Sequence, residues 1–228
     1  MLDQIAIDPS LVIFAVIAVF VVWKLRSVLG VRVDHGPTAR NRFPPPGASL
    51  AKNGGPPPGA AGAELVADRW KGLAEPGTKG WSGLDAIVAA DPAFSGTGFV
   101  QGARKAYEAV VTAFAKGDRK TLRNLLSKDV FENFAADIAG REQRGETVET
   151  TVVSIDSATI DDARATPNST DITVRFTSKL MTTRQNRAGE ILEGSLDRSV
   201  ENVDLWTFAR DPRSRDPNWK LVATETVH

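Results

Sequence analysis

The chain has 228 residues, 28 Lys plus Arg balanced by 28 Asp plus Glu, 42% apolar residues, no cysteine and two histidines, His35 and His228. Patterned apolar content is confined to the later part of the chain, which predicts one globular domain of about 130 to 150 residues. The zero net charge excludes a general nucleic-acid binder, whose footprint is strongly basic, and without cysteine there are no disulfides, thiol nucleophiles or ordinary zinc sites. No metal and no cofactor are expected.

The first predicted element is a membrane helix at residues 9–27. "PSLVIFAVIAVFVVW", Pro9 to Trp23, carries no charge between Asp8 and Lys24. Its apolar surface would be built by Leu11, Ile13, Phe14, Ile17, Phe20, Val21 and Trp23. Leu25 extends it toward the roughly 20 residues that cross a ~30 Å hydrocarbon core, while the stem of Lys24 snorkels and Trp23 sits at the interface. Asp3 and Asp8 precede the span, and Lys24, Arg26, Arg32, Arg40 and Arg42 follow it. Basic residues stay on the cytoplasmic side, so residues 1–8 are expected outside and the body of the protein inside. A cleaved signal peptide needs a basic start and a small-residue cleavage site; "MLDQIAIDPS" is acidic and "WKLRSVLG" has no such site. A mitochondrial presequence would be rich in Arg and poor in acids. The expected address is a bacterial inner membrane, crossed once.

Residues 28–82 read as a flexible linker. "PPPGASLAKNGGPPPGAAGA" and its flanks are rich in Pro, Gly and Ala without sustained periodicity, and such a stretch cannot bury enough apolar surface to offset the entropy of ordering it. Where prolines cluster it extends at about 3.1 Å per residue. "ELVADRWKGLA" within it is read as linker, with a transient amphipathic turn as the alternative. The domain is expected at residues 83–228.

Helical periodicity begins at "SGLDAIVAADPAF", with Ser82 as the expected cap. In "SGTGFVQGARKAYEAVVTAFAKGD", Phe99, Ala103, Ala106, Val110 and Ala113 recur at spacings of three and four, with Tyr107, Val111 and Phe114 widening the stripe. Ser95 or Thr97 caps its start, and Gly117 and Asp118 end it and open the next helix. Leu122, Leu125 and Leu126 define that next helix; Val130, Phe131, Phe134 and Ile138 define a fourth. After Glu146 the period becomes two. "TVETTVVSIDSATI", "TDITVRFTSKLMTT", "VENVDLWTFAR" and "WKLVATETV" read as about four antiparallel strands, separated by turns at "DDARATPNS", "QNRAGE" and "DPRSRDPN". The fold class is therefore α+β, helices first and then a meander, with Trp206 and Phe208 pointing into the helix layer.

Gly96, Gly98 and Gly102 spell G-x-G-x-x-x-G, one residue longer than the dinucleotide fingerprint, and no Lys-Ser or Lys-Thr follows. That fingerprint works between a parallel strand and its crossover helix, whereas the segment before these glycines is helical. The glycines are read as a turn, with Gly102 admitting another element at close range.

"FVQGARKAYEAVVTAFAKGDRKTLRNLLSKDVFENF", followed by "WTFAR" (Trp206 to Arg210) and "DPNWKLVAT" (Asp216 to Thr224), resembles the family of Tim forty-four, the import-motor scaffold of the mitochondrial inner membrane, and within it the alphaproteobacterial TimA branch. The resemblance covers roughly Phe94 to Val227. It implies a cystatin-like or nuclear transport factor two-like cone, in which helices pack on a curved antiparallel sheet and leave an apolar cleft. It further implies association with cardiolipin-rich membrane. The mitochondrial scaffold recruits an Hsp70-type chaperone through a long region ahead of its domain; this chain has a short Pro/Gly stretch there instead.

Three functions follow as expectations. The first is a non-enzymatic membrane adaptor for lipid or an inner-membrane protein, with Arg104, Lys105, Lys116, Arg119, Lys120, Arg123 and Lys128 as its basic surface against Glu108 and Asp118. Each cation near an anionic leaflet contributes about 1 kcal/mol; the alternative is that these residues only solubilise exposed helix faces. The second is binding of an acyl chain or apolar segment in a cleft lined by Tyr107, Phe131, Phe134, Trp206, Phe208 and Trp219, residues that a filled core explains equally. The third is acid/base catalysis by Tyr107 with Asp137 or Asp204.

Overall fold

The computed structural model describes residues 69–195, 197–214 and 216–227. The anchor expected at 9–27 and the linker up to residue 68 lie outside them. Among the described residues no helix is long and apolar enough to cross a membrane.

Among the described residues packed structure is present from Trp70, ahead of the boundary expected at residue 83. Trp70 is buried, its Nε1 donates to Asp85 Oδ1 at 2.9 Å, and its ring lies on Gly96. The Leu73 carbonyl accepts the Ile160 N–H at 2.6 Å. The end of "ELVADRWKGLA" is thus part of the core. An indole buries some 150 to 250 Å², enough to order a turn that shows no periodicity.

Helix α1, Lys79–Ala90, is capped by Thr78, whose hydroxyl accepts the Trp81 N–H. The cap is therefore not Ser82, which sits inside the helix with its hydroxyl donating back to the Thr78 carbonyl. Gly77, at φ 79°, supplies the left-handed residue that lets Thr78 start the helix early. Helix α2, Gly96–Lys116, starts at Ser95 and stops at Gly117, whose φ of 70° allows its N–H to reach the carbonyls of Ala113 and Phe114. Asp118 then caps α3, Arg119–Leu125, and Ser127 caps α4, Lys128–Arg144.

Five strands follow: β1 Thr147–Ala165, β2 Thr170–Gln185, β3 Ile191–Gly194, β4 Val200–Arg210 and β5 Lys220–Val227. All pairs are antiparallel, in the order β1-β2-β4-β5, with β3 also on β2. Two expectations are corrected. The four-residue β3 is an additional strand, too short to show a period. Asp161 to Ala165, expected in a turn, continue β1, and the reversal is made by Thr166 to Ser169. The reason is three β-bulges, at Val153, Asp156 and Asp161, each of which slips the pairing with β2 by one residue. Every bulge exposes its extra residue and bends the strand, so β1 curls around the helices while its alternation is broken three times.

The helices lie on the sheet face that carries Ile172, Val174, Phe176, Trp206 and Phe208, all buried. Tyr107 packs on Trp206 with ring centres 4.6 Å apart, and Phe99 on Phe208 at 5.9 Å. The α+β architecture and the inward Trp206 and Phe208 are as the periodicities predict.

Candidate functional site

Tyr107 is fully buried in the middle of α2. Its hydroxyl donates to Asp204 Oδ2 at 2.7 Å and lies 2.8 Å from Ser178 Oγ. Because the single phenolic proton goes to the carboxylate, Ser178 donates to the phenolic oxygen. Thr226 donates to the other Asp204 oxygen at 2.9 Å. Burial pushes the Tyr107 phenol well above its ordinary value, with the Asp204 charge adding to the shift against the opposing Ser178 bond. Tyr107 therefore stays a neutral donor. The structure brings Tyr107 and Asp204 together from 97 residues apart, while Asp137 is exposed on α4. Neither Tyr107 nor Asp204 lines a cleft described below, so the pair ties α2 to the sheet, with each polar atom answered by another. Among the described residues no group of three or more His, Cys, Asp or Glu side chains could hold a metal ion.

The six aromatic residues expected in one cleft fall into separate groups. Tyr107, Trp206 and Phe208 belong to the core. Phe134 stacks on Phe114 at 4.8 Å, and Phe131 sits under the Arg123 guanidinium at 4.9 Å. Only Trp219 and the edge of Phe208 reach a groove. It has a volume of about 470 Å³ and runs between the first half of α2, the end of α3 and the start of β5. Its floor is Gly98, Gly102 and Ala106, one helical turn apart; its walls include Phe94, Phe99, Leu125 and Trp219. Gly102 was expected to meet another element closely. Instead a Cβ there would meet nothing within 4 Å, because its face looks into the groove. At one end Arg210 bonds Asp91 at 2.7 Å and stacks over Trp219 at 5.3 Å. The Arg210 hydrogen bond holds the Asp91 carboxyl below its ordinary value.

The basic residues are partly committed to the fold. Arg104 donates to the Ile155 carbonyl at 2.8 Å, Arg119 makes two bonds to Glu142 at 2.9 and 2.7 Å, and Lys128 pairs with Glu132 at 3.8 Å. Lys105, Lys116 and Lys120 are exposed and have no ion pair among the described residues. Together with Arg123 they leave a basic excess over α2 and α3, with Glu108 and Asp118 beside Lys105 and Lys116.

A second hollow, of about 860 Å³, opens between the later half of α2, the end of α4 and the start of β1. Its lining is mixed, with Glu108, Lys116, Glu146 and Glu149 alongside Ala115, Val148 and Val152. Arg141 also lines it, buried at 8% exposure. Its Nη2 donates to the carbonyls of Phe114 and Ala115, the latter at 2.8 Å, and its guanidinium covers the Phe114 ring at 5.0 Å. Burial pulls this guanidinium below its ordinary value. Arg141 falls three residues after Ile138 on the buried side of α4, and that cation on an apolar stripe is the signal that sequence reading passed over.

No curated protein sequence matches the chain. Among solved structures, the intermembrane space region of the chloroplast protein ARC6 is similar, with a TM-score of 0.41 and 9% identity over 56% of this chain and 95% of that one. The family model described as Tim44-like domain matches residues 80–226, from the second residue of α1 to the last residue but one of β5. By that match, which covers more than half of its length, the chain belongs to the Tim44-like domain family.

Proposed function

We propose that this protein is a non-enzymatic adaptor of a bacterial inner membrane, held by one N-terminal span, with its domain on the cytoplasmic side binding anionic lipid and membrane-protein partners that serve translocation or chaperone recruitment. The observation that carries it is the Tim44-like domain itself, since that family associates with membranes and translocation partners. Two further features support it: the apolar run from Pro9 to Trp23 and the exposed Lys105, Lys116 and Lys120, which have no ion pair among the described residues. Near an anionic leaflet such cations act within a Debye length of about 8 Å.

Vesicle sedimentation tests the lipid half. The full chain would insert through its anchor, so the soluble form is cut before Arg69, which keeps Trp70 in the core. It should sediment with cardiolipin-containing vesicles at about 50 mM salt and release as salt rises. Changing Lys105, Lys116 and Lys120 to Gln should weaken binding about a hundredfold, at about 1 kcal/mol per charge. No binding by the parent form at low salt removes lipid from the proposal.

The groove favours a second reading, in which an acyl chain or an apolar polypeptide segment lies on Gly98, Gly102 and Ala106 against Trp219. Gly102→Leu separates the two readings, because the added side chain enters open space. It should fill the groove, leave the fold intact and abolish uptake of a fluorescent fatty acid while vesicle binding by the lysines persists. Unchanged uptake would remove the second reading.

A further inference from the structure

On the sheet face turned away from the helices, β4 presents Val203 and Leu205 to its outside. Register puts Leu205 between Arg175 on β2 and Glu225 on β5, and Val203 between Thr177 and Val227. That this is the outer face follows from Thr173 and Thr207, one row away, whose hydroxyls bond each other at 2.9 Å, and from Asp204 and Trp206, which alternate inward. The uncovered face of an antiparallel sheet is normally polar along every strand. Here the middle of β4 carries two aliphatic side chains, Val203 and Leu205, both half-buried, between Glu201 and Thr207, and Val227 beside Val203 is 37% exposed.

We infer that a second copy of this chain docks on this face. The charges are self-complementary about a two-fold axis lying along β4. Rotation about that axis exchanges the β2 side with the β5 side, which sets Arg175 of each copy over Glu225 of the other and Leu205 over Leu205. Glu225 has no ion pair among the described residues, and Arg175 is held in place by Asp161 at 2.9 Å, leaving the outer side of its guanidinium for a second carboxylate. An axis running across the strands through the same row would set Arg175 on Arg175, and that like-charge contact selects against it. Four strands about 4.8 Å apart give roughly 400 Å² per copy, about half of a standard interface, so the association is weak and depends on concentration.

Sedimentation equilibrium of the full-length chain in detergent reads the result. The parent protein should show a monomer–dimer equilibrium. Leu205→Arg should raise the dissociation constant at least tenfold, as should Arg175→Glu, and Arg175→Glu combined with Glu225→Arg should restore association. The absence of cysteine allows a second readout. Facing sheets stand about 10 Å apart, beyond the ~7 Å between Cα atoms that a disulfide spans, so a short bismaleimide is the reagent. Leu205→Cys should cross-link to a dimer and Lys120→Cys, on the helix side, should not. Circular dichroism melts of each variant separate lost association from lost folding. A monomeric parent protein, association through another surface that ignores Leu205→Arg, or a double charge exchange that fails to restore dimers in folded protein would overturn the inference.

Discussion

Gly83→Ala is expected to destabilise the domain by about 3 kcal/mol or more, although alanine is the better helix former by about 1 kcal/mol. Helix α1 crosses β1 with Gly80 and Gly83 facing the strand's backbone. A Cβ on Gly83 would lie 1.8 Å from the Ala163 carbonyl oxygen and 2.5 Å from its carbon; one on Gly80 would lie 2.6 Å from the Ile160 oxygen. These are backbone atoms in a paired strand and cannot rotate aside, so the helix must lift. Lifting it would open the packing of Leu84 and Ile87, which are 0% and 1% exposed, and pull Asp85 from the Trp70 indole. For a domain of this size the loss corresponds to a melting temperature lower by roughly 6 to 12 °C. Gly102→Ala is the matched control: a helical glycine with open space above it, where alanine should be neutral or stabilising. Equal melting temperatures for the two variants would show that α1 rides more loosely on β1 than described.

Arg141→Met should cost about 2 to 4 kcal/mol, with amide exchange in the last turn of α2 accelerating most. A helix ends with carbonyls that have no partner within it, and its C-terminus favours a positive charge. Arg141 answers both needs at once, donating to the carbonyls of Phe114 and Ala115 while its charge lies over the Phe114 ring. Methionine keeps the length and the packing but not the donors. The Phe114 carbonyl retains the Gly117 N–H at 3.2 Å; the Ala115 carbonyl loses the bond it makes to Arg141. Arg141→Lys should fall between the two, since an ammonium is a point charge that cannot serve both carbonyls in the guanidinium's fork geometry. Chemical denaturation of the three proteins checks the order, and a methionine variant as stable as the parent would refute the capping role.

How much of this was readable beforehand depended on whether the signal was local. The span of α2 was, because Ser95, the apolar stripe and Gly117 all lie within one helix. So was the inward direction of Trp206 and Phe208, which follows from strand alternation. The length of β1 was not, because Val153, Asp156 and Asp161 each reset the alternation without ending the strand. Trp70 was hidden for a different reason: a single large ring supplied its ordering, and no pattern surrounds it. At the candidate site, Asp204 could be assigned to a face and Tyr107 to a stripe, but their contact joins two elements whose relative depth no spacing encodes. The groove was equally unreadable. Its floor is made of residues notable for lacking side chains, and its wall is Trp219, which precedes β5 and carries no period of its own.

The Trp70 clamp also has a mechanical meaning. Any load reaching the domain from its N-terminal side arrives at Arg69 and meets at once an indole already in the core and the Leu73–Ile160 bond at the β1 edge. Within the described residues that load is therefore borne from residue 70 onward, ahead of α1. Residues 69 to 82, read from the sequence as linker, belong to the packed body instead, and the fourteen of them withdraw roughly 43 Å, at about 3.1 Å per residue, from whatever reach such a linker would have.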